Sequence, residues 1–203
     1  SSHAGFYELP KYASWKWTND TRTFAGLSVT HSERIDDLSF SVGASRSEDD
    51  GYKRNDFWKR WNGWGRIDYD ISSRQTLGVS FSLLDQRRGS FLYWKDLDHA
   101  LEPNDDRLED RVQSVRWNVS GRYRQFLSPR FSVAVQVSWF HAGWEDNLPT
   151  PSYPTGSNSS SDVVVSEVQA TILAGDRHII TTGLSGAANR VSAERIFGVH
   201  NAG

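Results

Sequence analysis

Aromatic rings set among carboxylates mark the stretch of this chain best equipped for binding chemistry. Within residues 86–110, Phe91, Tyr93 and Trp94 are followed by Asp96, Asp98, Asp105 and Asp106. A ring face can stack on a sugar or on the ring of a metal chelator, and a carboxylate can hold a cation. Tyr93, Trp94, Asp96 and Asp98 are the candidate ligand contacts. The same composition also describes a solvated loop that packs its rings on a neighbouring strand. Asn104, Asp105, Asp106, Glu109 and Asp110 crowd oxygen atoms together but lack the spacing and glycine of an EF-hand, so no metal site is assigned. The run Glu48-Asp49-Asp50 reads as a solvated tip. The six histidines, His3, His31, His99, His141, His178 and His200, fall in different segments without zinc spacing. There is no Cys, which removes disulfides, thiolate metal sites and thiol catalysis. Ser, His and Asp are present, but no nucleophile elbow or triad pattern accompanies them. Neither an enzyme nor a bound cofactor is expected.

Arg60, Arg66, Arg116, Arg122 and Arg124 form a second group of interest. They recur at even spacing inside segments that alternate polar with apolar residues, so within each segment they share a face. Unpaired guanidinium groups cannot enter a dry core. They can line a water-filled lumen, meeting an anionic ligand or pairing with acids such as Asp68 and Glu167.

The elements that would position these groups are eight alternating segments. They lie at about 23–31, 37–46, 58–70, 75–85, 111–124, 131–142, 163–174 and, less clearly, 177–188. The segment 75–85 sets Leu77, Val79, Phe81 and Leu83 against Gly78, Ser80 and Ser82; the segment 111–124 sets Val115, Trp117, Val119 and Tyr123 against Ser114, Arg116, Asn118, Ser120 and Arg122. Tight connections near 32–36, 71–74, 126–129 and 175–177 alternate with long polar ones at 47–57, 86–110 and 145–162. Short turns on one side and long loops on the other describe an outer-membrane β-barrel. A soluble sandwich would alternate too, but its connections would not sort in this way. Trp61 and Trp139 fall near the long-loop ends of their segments, and Tyr69 and Tyr123 near the short-turn ends. Two such belts are what interfacial anchoring requires, although cross-strand aromatic pairing alone would also place rings there.

Composition agrees with this reading. Only 37% of residues are hydrophobic and no run of about 18 apolar residues exists, which excludes a transmembrane helix. A barrel strand needs only about 9–11 residues, half of them apolar. Nine Trp among 203 residues suit aromatic girdles. A net charge of −2 is too balanced for a nucleic-acid partner. The absence of Met and of a signal peptide before Ser1 leads to the expectation of a trimmed chain or a fragment.

Several runs carry a family resemblance. Asp50-Gly51-Tyr52-Lys53-Arg54-Asn55-Asp56 enters a strand. Arg88-Gly89-Ser90-Phe91-Leu92-Tyr93-Trp94-Lys95-Asp96-Leu97-Asp98-His99-Ala100-Leu101 follows, and Arg111-Val112-Gln113-Ser114-Val115-Arg116 opens the next strand. Near the end, His178-Ile179-Ile180-Thr181-Thr182-Gly183 precedes Ile196-Phe197-Gly198-Val199-His200. In this order they resemble the β-barrel region of TonB-dependent outer-membrane receptors, over most of residues 22–203.

That resemblance implies an all-β, antiparallel transmembrane barrel, with this chain forming about eight strands of a wall of about 22. It implies residence in the outer membrane of a Gram-negative bacterium. It also implies active import of a scarce nutrient, such as a siderophore or other metal chelate, cobalamin or a glycan fragment. The partners would be membrane lipid, the remainder of the barrel and its plug, the TonB system through parts outside this sequence, and a small ligand such as a siderophore or oligosaccharide. The chain would be a single barrel region, with 1–22 a loop leading in, 23–190 the strands and 191–203 the start of the next extracellular loop. The segment 149–162, rich in Pro, Ser and Gly, would be a mobile loop tip. The alternative is a complete eight-stranded barrel serving as anchor or adhesin. Its filled interior would need Arg116, Arg122 and Arg124 paired with acids such as Asp68 and Glu167.

Overall fold

The computed structural model describes residues 1–147, 156–175 and 177–193. They form one antiparallel sheet of nine strands, each hydrogen-bonded to its neighbours in chain order. The strands are β1 Ser2–Phe6, β2 Thr23–Ile35, β3 Leu38–Asp49, β4 Trp58–Ser72, β5 Gln75–Gly89, β6 Arg111–Ser128, β7 Phe131–Asp146, β8 Ser157–Ala174 and β9 His178–Ala193. There is no α-helix among the described residues, only 3₁₀ turns at Ala13–Trp15 and Asp105–Arg107.

The alternation of connections holds throughout. Two residues join β2 to β3, β4 to β5 and β6 to β7, whereas residues 7–22, 50–57 and 90–110 make long connections on the opposite side. The β2–β3 turn places Asp36 at φ 51°, in the left-handed region that hairpin turns demand and that Asp tolerates better than most residues.

Two differences from the sequence reading stand out. Residues 2–6, expected within a loop, form β1 and pair with the outer edge of β2. Strands also outrun their expected ends: β3, β5, β7, β8 and β9 on the long-loop side, with β8 beginning at Ser157 inside the expected loop tip, and β2, β4 and β6 on the short-turn side. The clean alternation of polarity stops where the apolar band stops, while the backbone ladder continues. The run Ile196-Phe197-Gly198-Val199-His200, the loop residues 148–155 and the segment 194–203 lie outside the described residues.

Register fixes the two faces. Phe40 stands opposite Ile67, Ile67 opposite Val79, Val79 opposite Gly121, and Gly121 opposite Val137, so one face is apolar across five strands. The opposite face carries Ser41, Arg66, Ser80, Ser120 and Ser138 along the neighbouring row. Apolar side chains on the first face stay uncovered: Phe81 is 49% exposed and Leu83 47%. At the long-loop end of this face lie Trp61, Trp117 and Trp139, with Trp117 and Trp139 in edge contact at 4.8 Å. Tyr69 and Tyr123 flank Leu77 at the short-turn end.

Within the sheet, several glycines lie under a ring from the next strand. A Cβ on Gly65 would meet the Phe81 ring at 2.4 Å. A large ring covering a cross-strand glycine restores the packing that the glycine lacks. The buried apolar residues gather at the long-loop end: Ala100, Leu101 and Pro103 in the 90–110 connection, with Val112 at the start of β6.

Candidate functional site

Two regions gather the groups able to bind something: the polar face of the sheet and the cap formed by the long connections.

All five arginines stand on the polar face. Arg60 donates from Nε to Gln86 Oε1 at 3.1 Å and lies over the Trp58 ring at 5.0 Å. Arg66 makes a forked pair with Asp68, at 2.6 and 3.0 Å. A fork of this kind is the strongest ion-pair geometry available to arginine. The side chains of Arg116, Arg122 and Arg124 have no hydrogen bond or ion pair among the described residues. Glu167 does not neutralise them: it stands opposite Gln136, which separates it from Arg122 on β6. Arg66, Asp68, Thr76, Gly78, Arg122 and Arg124 surround a notch of about 80 Å³ near the short-turn end. Three guanidinium groups therefore line a notch that holds one carboxylate, and Arg66 alone is paired with it.

Nearer the middle of the sheet, the polar face holds a broad concavity of about 610 Å³. Trp64, Asn62, Arg116, Asn118 and Phe140 line it. Trp64 lies across Gly43, where a Cβ would come within 2.5 Å of the indole Nε1. Asn62 donates to Ser45 Oγ at 3.1 Å, and Ser82 donates to Asn118 Oδ1. Sequence reasoning missed Trp64 and Phe140 as members of this face. The signal was available, since Trp64 shares the parity of Asn62 and Arg66.

The cap is built from residues 7–22, 50–57 and 90–110. Its keystone is Asn55, buried and at φ 64°. Its amide nitrogen donates toward the carbonyls of Ser90 (3.1 Å), Arg107 (3.1 Å) and Asp110 (3.0 Å), and its oxygen accepts from Arg111 Nη1. Arg54 pairs with Glu102 at 2.7 Å, and the Arg54 amide donates to Leu101 O at 2.9 Å. Trp15 Nε1 reaches Leu97 O at 2.9 Å, which ties the first connection to the third. Burial raises the carboxyl pKa of Asp56 and Asp110. Hydrogen bonds from Thr23 lower that of Asp50.

Of the sequence-derived ligand contacts, Tyr93 (76% exposed) and Trp94 (56%) present their rings at the cap surface. Asp96 is engaged locally: its Oδ1 accepts from the Asp98 and His99 amides at 2.9 and 2.8 Å and lies 2.8 Å from His99 Nδ1. The His99 contact holds its carboxyl below the usual range. Asp98 follows in the same turn. Phe91 is covered by Lys53, 4.5 Å from its centroid. Three acids of the crowded 104–110 run face basic partners. Asp105 pairs with Lys95 at 2.7 Å, and Asp106 and Asp110 each lie 3.6 Å from Arg107.

No family model matches the chain, and no curated protein matches it in sequence. Among solved structures it is similar to a mutant form of the ferric enterobactin receptor from Pseudomonas aeruginosa, with a TM-score of 0.62 and 11% identity. The match covers 95% of this chain and 30% of that chain. At such identity the likeness shows the fold: this chain is built like part of the wall of a β-barrel receptor, and it spans less than a third of that receptor's length.

Proposed function

We propose that this chain is part of the barrel wall of an outer-membrane, TonB-dependent receptor that imports a scarce nutrient: a metal chelate, cobalamin or a glycan fragment. The observation that carries the proposal is the segregation of the two faces. One face is apolar and bounded by aromatic belts, as lipid requires. The other carries the guanidinium groups of Arg116, Arg122 and Arg124, which have no acid partner among the described residues, as a wet lumen allows.

Strand length supports a receptor as well. A tilted strand crosses the bilayer core in about 9–11 residues. β6 and β8 have 18 each, so their long-loop ends rise clear of the membrane. There they carry a cap with its own small core, a fitting place for ligand capture by Tyr93 and Trp94. The lumen arginines would then meet acids on a plug or an anionic ligand in transit. Against a closed eight-stranded anchor stands β1, which occupies the edge of β2 that closure onto β9 would use.

The test is the native polypeptide. Outer membranes of the source cell would be resolved by denaturing electrophoresis, and the bands mapped by peptide mass. The receptor reading expects a band several times heavier than 23.0 kDa, with peptides of a separate lumen-filling domain. A band near that mass would overturn it in favour of a small barrel.

A further inference from the structure

The cap contains a cavity apart from Tyr93 and Trp94. It measures about 360 Å³, lies between the 7–22 connection and Tyr52, and is walled by Tyr7, Trp17 and Tyr52. That volume is in the range of small-ligand sites, about 300–1,000 Å³.

The polar ends of these walls are already satisfied. Tyr7 donates its hydroxyl to Asp49 Oδ2 at 2.7 Å, and burial with that bond pushes the phenol pKa to about 12. Trp17 Nε1 donates to Tyr52 O at 3.2 Å. Arg22 lies over the indole at 5.0 Å and spends its donors on the carbonyls of Asp50 and Gly51. The rings of Tyr7 and Tyr52 meet at 5.8 Å. What these walls offer a ligand is therefore ring surface, held in place beforehand. The rim is different. Glu8, Asn19 and Asp20 line it with side chains that have no partner among the described residues, and Lys16 joins Arg22 as a second cation beside them.

We infer that this cavity is a saccharide-binding subsite for a neutral oligosaccharide. Sugar C–H faces stack on aromatic rings, and sugar hydroxyls donate to carboxylates and amides. Glu8 and Asp20 are balanced in the lining by Lys16 and Arg22, so the cavity carries no net charge with which to select an ion, and a neutral ligand suits it. Pre-ordering by the Trp15–Leu97 bond and the Arg22 contacts lowers the entropy lost on binding. The inference rests on the receptor reading only in placing the cap outside the cell.

The experiment uses the full native protein in detergent, screened against an array of neutral oligosaccharides of different lengths, with titration of any hit by tryptophan fluorescence. Trp17→Ala should weaken the hit by roughly tenfold, the worth of one stacked ring. Glu8→Gln with Asp20→Asn should weaken it as well, and these exposed positions carry the test if the tryptophan variant fails to fold. No hit on the array would overturn the subsite. So would affinity unchanged in the variants that fold, or preference at this cavity for an anionic ferric catecholate. Whole-cell uptake separates the two proposals. A Trp17-dependent hit without uptake supports the subsite and sinks the transporter. Uptake that persists while no neutral oligosaccharide binds does the reverse.

Discussion

Replacing Asn55 with Ala should open the cap without opening the sheet. The side chain is buried, and it is the donor shared by the carbonyls of Ser90, Arg107 and Asp110. Two amide hydrogens serve three acceptors, so at least one bond is three-centred. Losing two neutral donations at about 1 kcal/mol each, and the charge-assisted acceptor for Arg111 at about 1.5–3 kcal/mol, removes roughly 3.5–5 kcal/mol. Alanine at φ 64° adds about 1 kcal/mol, because a Cβ in the left-handed region crowds the following carbonyl. At about 1.4 kcal/mol per factor of ten, opening should become about 10³- to 10⁴-fold more frequent. Hydrogen–deuterium exchange of peptides from residues 90–110 reads this directly, with β4–β7 peptides as the internal reference. Asn55→Gly, which removes the same bonds but relieves the backbone, should recover roughly fivefold. Exchange in 90–110 that rises less than about tenfold in the alanine variant would refute the keystone role, since that change corresponds to a single ordinary hydrogen bond.

Further outcomes are expected elsewhere. Asp50 accepts from the Thr23 amide and hydroxyl at 2.9 and 2.8 Å, which depresses its folded pKa, so its contribution is complete above the ordinary aspartate value of about 3.9 and disappears as pH falls through the depressed value. Amide exchange at Thr23 should accelerate in that acid window, and Asp50→Asn should abolish the pH dependence. Gly43→Val should force Trp64 off the neighbouring strand at a cost of about 1–3 kcal/mol, seen as a lower unfolding midpoint and a shifted tryptophan emission. Arg122→Ala with Arg124→Ala should raise the thermal midpoint of the refolded protein at low ionic strength and leave it unchanged at high salt, because two like charges on one face repel only while unscreened.

Fold class and the parity of β2 to β8 were legible because side chains alternate with a period of two and the two faces differ sharply in polarity, whereas β9 read less clearly. Ala25, Leu27 and Val29 announced their face without any partner. Several strand ends were not legible: beyond Leu83 on β5 or His141 on β7, the two faces no longer differ in polarity and the pattern stops reporting direction. β1 escaped notice because five residues with His3 and Ala4 on opposite faces carry no pattern, and its pairing is set by β2. The arginines could be placed on a face from sequence, but only the register shows that Gly78 and Gln136 flank Arg122, leaving it without an acid. Asn55 left no signal at all, since its role depends on three carbonyls supplied by residues 35 to 55 positions away.

The free edge of β9 has a consequence for assembly. Its partner β8 fixes Ile180 opposite Ile172, Leu184 opposite Val168 and Ala188 opposite Val164, so the parity of β9 is settled. Its outer row of amides and carbonyls pairs with no other described strand. Whichever strand adds there inherits that parity. A slip by one residue would turn the newcomer's lipid-facing residues inward and its polar ones toward hydrocarbon. In the proposed barrel β9 would act as a template: an added strand whose alternation is out of phase would meet the wrong solvent on each side, whatever its side-chain contacts.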